Sequence, residues 1–205
     1  MRIWGGILAG GRGLRMQGLD KPFADLAGQP LVAHVIARLA PQTAGLVINA
    51  NTAPERFHGF GLDIVADSHA GYRGPLAGIE TLLRAGRARN ASHMLVAPAD
   101  TPFLPHDLCA RLSAAAQAPM AVRVACSSGR RHPVVALWPT ALHDDLDRYL
   151  AATDDLSMAA YMRRLDLAEV DFSDPLGRDP FFNINDPADL AHAERLAATA
   201  SDRAG

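Results

Sequence analysis

Residues Leu8 to Pro22 read LAGGRGLRMQGLDKP, directly after the apolar run IWGGI at Ile3 to Ile7. An apolar run that breaks into a glycine-rich turn reads as a buried strand feeding a loop at the end of a sheet. Gly10, Gly11 and Gly13 allow a tight turn and bring bare N–H groups up to an anion. Arg15 carries a planar fork that suits two phosphate oxygens. Lys21 is the only lysine among twenty basic side chains, the rest being arginine. Its compact charge on a flexible stem suits a phosphate that moves or leaves. The same residues also fit a solvated glycine-rich turn. Two familiar phosphate templates fail. The dinucleotide fingerprint G-x-G-x-x-G meets Met16 at its last position, and the P-loop needs Lys and Ser or Thr where Leu19 and Asp20 follow Gly18.

Outward from this loop, short apolar runs alternate with helix-like stretches. Ile3–Leu8, Leu46–Ala50, Asp63–Ala66 and His93–Ala97 read as buried strands bounded by Gly, Pro or Asp. Pro30–Leu39, Leu76–Arg84 and Pro105–Ala116 carry apolar residues at helical spacing, two of them with proline in the first turn. After Ala118 the rhythm loosens. Val122–Cys126 and Pro133–Leu137 read as strands joined through SSGRRH, Ala141–Tyr149 and Ser157–Leu165 as helices, and Ala168–Phe172 as a strand. Asp186 caps a last helix from Pro187 to about Ala198. The reading is an α/β fold of Rossmann-like type: a mostly parallel sheet, helices on both faces and an irregular C-terminal part. Residues 1–198 are expected to form one domain, with 199–205 a tail without fixed structure. In open α/β sheets the ligand lies at the carboxyl ends of the strands. That rule singles out the glycine loop, Asn49 and Asn51, Asp67 and Asp100.

Bulk properties exclude other classes. A net charge of −2 supplies no global basic field for nucleic acid or anionic membrane. No apolar run is long enough to span a bilayer, and the N-terminus does not read as a signal peptide, so the expectation is a cytoplasmic protein. Cys109 and Cys126 form neither a CxxC pair nor a zinc pattern; a disulfide between them is possible but unneeded. The eight histidines form no HExxH motif and no tight ligand cluster. His132, in RRHPVVAL, reads either as a functional residue or as a hydrogen-bonded turn histidine.

LAGGRGLRMQGLDKP resembles the LAGGxxxRMGxxDK signature of the nucleotidyltransferases that complete the molybdenum cofactor. QPLVAHVIARLAP, VINAN, VADS, GPLAGIETLL, PADTPFLPHDL, RRHPVVALW and VDFS…FFNIND follow in that family's order, from Ile3 to about Leu190. The chain thus resembles the molybdenum cofactor guanylyltransferases of the MobA type. The resemblance implies transfer of GMP from GTP to the terminal phosphate of molybdopterin or Mo-molybdopterin, with release of pyrophosphate. It implies GTP contacts at Leu8, Ala9, Gly10, Gly11, Lys21, Asn49, Asp67 and Asp100. Arg15 and Lys21 would hold the β- and γ-phosphates, and Asp100 would ligate Mg²⁺, for which a strand-end carboxylate is a suitable hard ligand. Arg15, Lys21 and Asp100 are the implied catalytic set. No protein nucleophile is needed, because the acceptor phosphate is already ionised.

The second substrate is expected across the cleft. Gly74 and Gly78 in GPLAG open a helix, and Asn183 and Asn185 in FFNINDP alternate along an extended segment, so both face one way. These four are the candidate acceptor-binding residues. Relatives carry a basic stretch where this chain has Asp154 and Asp155, with Arg163 and Arg164 later. Further expected partners are molybdenum-cofactor assembly proteins and acceptor molybdoenzymes. The nearest rival is a cytidylyltransferase for the same cofactor or another nucleotidyltransferase. A non-catalytic GTP-binding module is disfavoured by Asp100, since binding alone needs no metal at the α-phosphate.

Overall fold

A computed structural model of the chain describes residues 1–10, 20–69, 74–115 and 118–201. In chain order its elements are β1 (Ile3–Leu8), β2 (Asp25–Leu26), β3 (Gln29–Pro30), α1 (Leu31–Leu39), β4 (Leu46–Asn49), β5 (Asp63–Val65), α2 (Gly74–Ala88) and β6 (His93–Pro98). Then come α3 (Leu108–Ala114), β7 (Val122–Ser127), β8 (Arg130–Pro139), α4 (His143–Ala152), α5 (Met158–Met162), β9 (Leu167–Asp171) and α6 (Pro187–Ser201).

Among the described residues, seven strands form one sheet in the order β5-β4-β1-β6-β8-β7-β9. Every neighbouring pair is parallel except the two that β8 makes, with β6 and β7. The sheet is therefore mostly parallel, as expected, and it is buried on both faces. Along β6 the side chains alternate: Leu95 and Ala97 join the core under α1 and α3, while Met94 and Val96 join the core under α2 and α4. Such two-sided burial explains why these strands read as continuous apolar runs.

Several boundaries differ from the expectation. α2 begins at Gly74 and runs to Ala88, longer at both ends than the periodic stretch. α3 begins only at Leu108, because Pro105 starts a turn whose carbonyl accepts the Leu108 N–H at 3.3 Å. α5 is short, capped by the Ser157 hydroxyl, which accepts the Ala160 N–H at 3.2 Å. Asp186 does cap α6, its carboxylate taking the Asp189 N–H at 2.9 Å. α6 continues to Ser201, past the expected end at about Ala198, since the alanine-rich sequence holds no breaker there. The tail expected from residue 199 thus begins inside a helix.

A small cluster fixes the C-terminal segment. Ala24, Leu26 and Leu31 pack with Ile184 and Ala193, and Phe103, Phe182 and Leu190 lie against them. The β2–β3 hairpin thereby holds α6 and the residues before it beside the loop that follows Lys21. Both cysteines are free and buried. Burial, helped by Glu169, raises the Cys126 thiol to about 11, which disfavours a thiolate nucleophile there. Among the described residues no helix is long and apolar enough to cross a membrane.

Candidate active site

Strand register builds the site. Leu8 sits opposite Asn49 on one side and Pro98 on the other, so β1, β4 and β6 end level with each other. The ladder continues just beyond them: the Ala9 N–H donates to the Asn49 carbonyl at 2.8 Å, and the Ala99 N–H to the Leu8 carbonyl at 2.9 Å. At this edge lies a cavity of about 240 Å³. Leu8, Ala9, Gly10, Lys21, Asn49, Asp67 and Asp100 all line it. Gly11 and Arg15 lie outside the described residues, as do Gly13 and Gly18.

On one wall, Asn49 is 2 % exposed and its amide donates to Asp67 Oδ1 at 2.8 Å. Asn51 donates to Asp67 Oδ2 at 2.7 Å and accepts the Asp67 N–H at 2.7 Å. The Asp67 carboxylate is thus aimed by two amides. Behind it, the Ser68 hydroxyl donates to the buried Glu80, whose other oxygen lies 2.8 Å from His143 Nε2. This ties the strand-end turn to α2 and α4.

On the opposite wall, the Lys21 ammonium pairs with Asp100 Oδ2 and donates to Asn185 Oδ1 at 2.8 Å. The Asp100 carbonyl accepts the Ile184 N–H at 3.0 Å, which seats the Asn183–Asn185 segment against the turn after β6. Thr101 donates to Asn183 Oδ1 at 2.6 Å. Asn183 and Asn185 therefore both reach the Asp100 turn, Asn185 through Lys21 itself.

Gly74 and Gly78, expected on the acceptor side, line the first cavity with Leu8 and Asn49. Gly78 permits a close approach of α2 to the site: a Cβ there would lie 2.5 Å from Leu8 Cδ2 and 2.6 Å from Asn49 Oδ1. Asp155 is committed to the turn before α5. Its carboxylate accepts the Ser157 N–H at 3.1 Å, and hydrogen bonds from Ser157 hold its pKa below the usual range.

A second cavity, of about 170 Å³, adjoins the first and shares Pro98 and Val134 with it. Thr101, Arg130, Arg131, His132, Phe181 and Asn183 line it. Because β8 runs against its neighbours, its first residues, Arg130 to Pro133, arrive at the same edge as the carboxyl ends of the other strands. Sequence reasoning noted His132 but missed Ser127 and Asp179, which bond to one another beside it. Ser127 ends β7, so the strand-end rule held a signal for it; Asp179, in an irregular segment, gave none.

Asp100 also bears on a metal. Its Oδ2 meets Lys21, but Oδ1 is buried with no hydrogen-bond partner. An unpaired buried carboxylate oxygen is costly, and a hard divalent cation satisfies it. Among the described residues no group of three or more His, Cys, Asp or Glu is placed to hold a metal ion by itself. An ion held by Asp100 would thus complete its shell with substrate phosphates and water, which Mg²⁺ commonly does.

Comparison with known proteins shows the family. The model of the MobA-like NTP transferase domain matches residues 5–168. A molybdenum cofactor guanylyltransferase of Rhodopseudomonas palustris (strain BisB5) is 49 % identical over 195 residues, 93 % of this chain and 92 % of the relative. One from Bradyrhizobium sp. (strain ORS 278) is 47 % identical, covering 94 % and 92 %. Among solved structures, molybdopterin-guanine dinucleotide biosynthesis protein A from Archaeoglobus fulgidus superposes with a TM-score of 0.78. It is 24 % identical, over 96 % of this chain and 99 % of that one, and shares the fold. The chain belongs to the family of MobA-like NTP transferase domains and is a nucleotidyltransferase.

Proposed function

We propose that this chain transfers GMP from GTP to the terminal phosphate of molybdopterin or Mo-molybdopterin and releases pyrophosphate. One observation carries the reading: two adjoining cavities meet at the Asp100 turn, one lined by Leu8, Ala9, Gly10, Asn49 and Asp67, the other by arginines and Asn183. The first suits a nucleotide and the second an anionic acceptor.

Leu8, Ala9 and Gly10 wrap the nucleotide, with Asn49 and Asp67 facing the guanosine. Gly11 and Arg15 extend this contact by resemblance to the family. An oxygen of the acceptor phosphate attacks the α-phosphorus; the new P–O bond forms as the bond to the bridging oxygen of the β-phosphate breaks. That oxygen leaves with the pyrophosphate and takes both electrons of the broken bond. Lys21 follows the departing charge, so its stabilisation grows toward the transition state. Asn185 holds the Lys21 ammonium in register. Nucleotidyltransferases of this family generally use a divalent metal. Asp100 would hold Mg²⁺, which when bound neutralises phosphate charge. Among the described residues Arg130 makes no ion pair, which leaves its guanidinium free for an anionic acceptor. The expected setting is the cytoplasm, with molybdenum-cofactor assembly proteins and acceptor molybdoenzymes as partners.

The test is to incubate the protein with each nucleoside triphosphate, Mg²⁺ and molybdopterin and to follow pyrophosphate. GTP is expected to turn over well above CTP and ATP, because a wrong base leaves buried polar groups unpaired. Faster turnover of CTP would replace the reading with cytidylyl transfer. Binding of GTP with no turnover would leave a non-catalytic module.

A further inference from the structure

Ser127, His132 and Asp179 form a chain of hydrogen bonds at the rim of the second cavity. Ser127 is 2 % exposed, and its hydroxyl donates to Asp179 Oδ1 at 2.8 Å. Its oxygen also lies 2.7 Å from His132 Nε2. The hydroxyl has one proton, and a carboxylate can only accept. Both contacts are satisfied in one arrangement: Ser127 donates to Asp179, and His132 Nε2–H donates to Ser127. Asp179 is itself held, its Oδ1 accepting the Phe181 N–H at 2.9 Å.

This order of donors is not that of a hydrolytic triad, in which the histidine stands between the other two. Here the serine stands between, its proton is committed to Asp179, and it is buried. The chain instead fixes the imidazole. Burial lowers the His132 pKa, aided by Arg130 and opposed by Asp179, so the ring is neutral at pH 7. Its one proton is then on Nε2, and Nδ1 is a bare acceptor. Nδ1 makes no hydrogen bond among the described residues. Phe181 packs on the ring with centroids 4.7 Å apart and limits its rotation.

Asn183 is fixed in the complementary sense on the same cavity. Thr101 donates to its Oδ1, which leaves the amide N–H₂ as the free end. His132 and Asn183, which both line the second cavity, thus carry one oriented acceptor and one oriented donor. That pattern matches a heterocycle edge carrying an N–H beside a carbonyl, as a lactam does.

From this we infer that His132 is a specificity-determining residue of the acceptor cavity, accepting through Nδ1 a hydrogen bond from a ring N–H of the bound heterocycle. Ser127 and Asp179 are positioning residues that act through it. The inference rests on the reading that this cavity takes the pterin-bearing acceptor.

The experiment has two arms. First, ¹⁵N NMR of the whole chain at pH 7.5, with its histidines labelled, reads the His132 tautomer. Nε2–H is expected, and Nδ1–H overturns the inference without any variant having to fold. Second, pyrophosphate release is measured with GTP, Mg²⁺ and molybdopterin. His132→Phe keeps a ring against Phe181 but removes the acceptor. It is expected to raise the KM for molybdopterin about tenfold, the effect of losing one hydrogen bond, with the KM for GTP unchanged. His132→Asn, which restores an acceptor oxygen close to the ring's Nδ1 position, should fall between. An unchanged molybdopterin KM in His132→Phe, beside an active wild type, overturns this inference alone. A wild type inactive with molybdopterin overturns it together with the functional reading.

Discussion

The Lys21 ammonium rests on the Asp100 carboxylate, joining two residues that the β2–β3 hairpin, two helices and three strands of the sheet separate in sequence. Their side chains are 19 % and 16 % exposed, so water reaches the pair only in part. Asn185 holds the same ammonium from the far end of the chain, at 2.8 Å. Among the described residues this constellation gathers the cation, the candidate metal ligand and the acceptor-side segment at one point. A nucleotide's phosphates would offer Lys21 a stronger anionic partner, and its flexible stem lets it move to them from Asp100.

Replacement of Lys21 by arginine tests whether that flexibility matters. The charge survives, but a planar fork replaces a point charge in a space bounded by Asp100 and Asn185. A misplacement of about 1 Å can cost roughly a hundredfold in rate. Lys21→Arg is therefore expected to lose about that factor in pyrophosphate release, while its melting temperature stays near wild type. Lys21→Ala should lose GTP affinity as well. Arg148→Lys, at an exposed position on α4, serves as the control and should change neither. A Lys21→Arg enzyme with normal turnover would return the lysine to the role of a solvated loop residue.

Asp100→Asn keeps the shape of the side chain and removes its charge. The backbone bond from Ile184 to the residue 100 carbonyl does not depend on the side chain, so the turn should persist. Loss of Mg²⁺-dependent turnover is expected on the order of several kcal/mol of transition-state stabilisation. Direct Mn²⁺ binding, followed by paramagnetic relaxation with GTP present, should weaken in parallel. Retention of both would leave Asp100 as no more than a cap for its turn.

The parallel strands were legible because each is a short apolar run with a hard stop, as at Leu8 and Pro98. Once the strands imply an open α/β sheet, their carboxyl ends point to Asn49, Asp67 and Asp100, which line one cavity. The β2–β3 hairpin was not legible, since two residues per strand carry no periodicity. Nor was the length and direction of β8, because alternation says nothing about which way a strand runs. That reversal is what brings Arg130 and His132 to the ligand edge. The Lys21–Asn185 bond spans 164 positions, and no local pattern announces such a pairing. The resemblance named both residues but set Asn185 apart from the nucleotide side, where the fold joins it to Lys21. Gly78 read as a helix-opening glycine, although its contacts are with Leu8 and Asn49.

His93, at the other end of β6, gives the chain an acid-sensitive stability. Its Nε2 is buried without a hydrogen-bond partner. Burial first, then the Arg123 guanidinium and the chain's amino terminus, lower its pKa from 6.5 to about 4. Between those values the unfolded chain binds a proton that the folded chain does not, so stability rises with pH. The contribution is complete above pH 6.5 and is lost as the pH falls toward 4. The imidazole is only half-buried, and solvent screening reduces the effect to about 1–2 kcal/mol. Urea unfolding at pH 7.5 and pH 4.5 should show His93→Gln losing less stability than wild type by that amount. Parallel losses in the two proteins would remove His93 as the source.

Gly78→Ala inverts the usual expectation for a helix. Within a helix, glycine is less stable than alanine by roughly 0.5–1 kcal/mol, so the substitution ordinarily stabilises. Here the added Cβ would lie 2.5 Å from Leu8 Cδ2 and 2.6 Å from Asn49 Oδ1. Leu8 can shift its terminal methyl, but Asn49 is buried and held through its amide to Asp67 and to the Val65 carbonyl. Moving α2 away would instead disturb Leu76, Ile79 and Leu82, all of which are fully buried. Overpacking of this kind costs about 1–3 kcal/mol, more than the helix propensity returns. The net expectation is a modest loss of stability, with a larger effect on the nucleotide: GTP affinity should fall about tenfold or more as Asn49 and Asp67 lose their alignment. Gly86→Ala separates the two effects, because its Cβ would meet Met94 Sδ at 2.5 Å and Thr140, away from the cavity. It should cost stability without weakening GTP. Calorimetric titration of GTP beside thermal melts of both variants reads the two quantities separately. Equal GTP affinity in Gly78→Ala and wild type would mean that α2 does not set the position of Asn49.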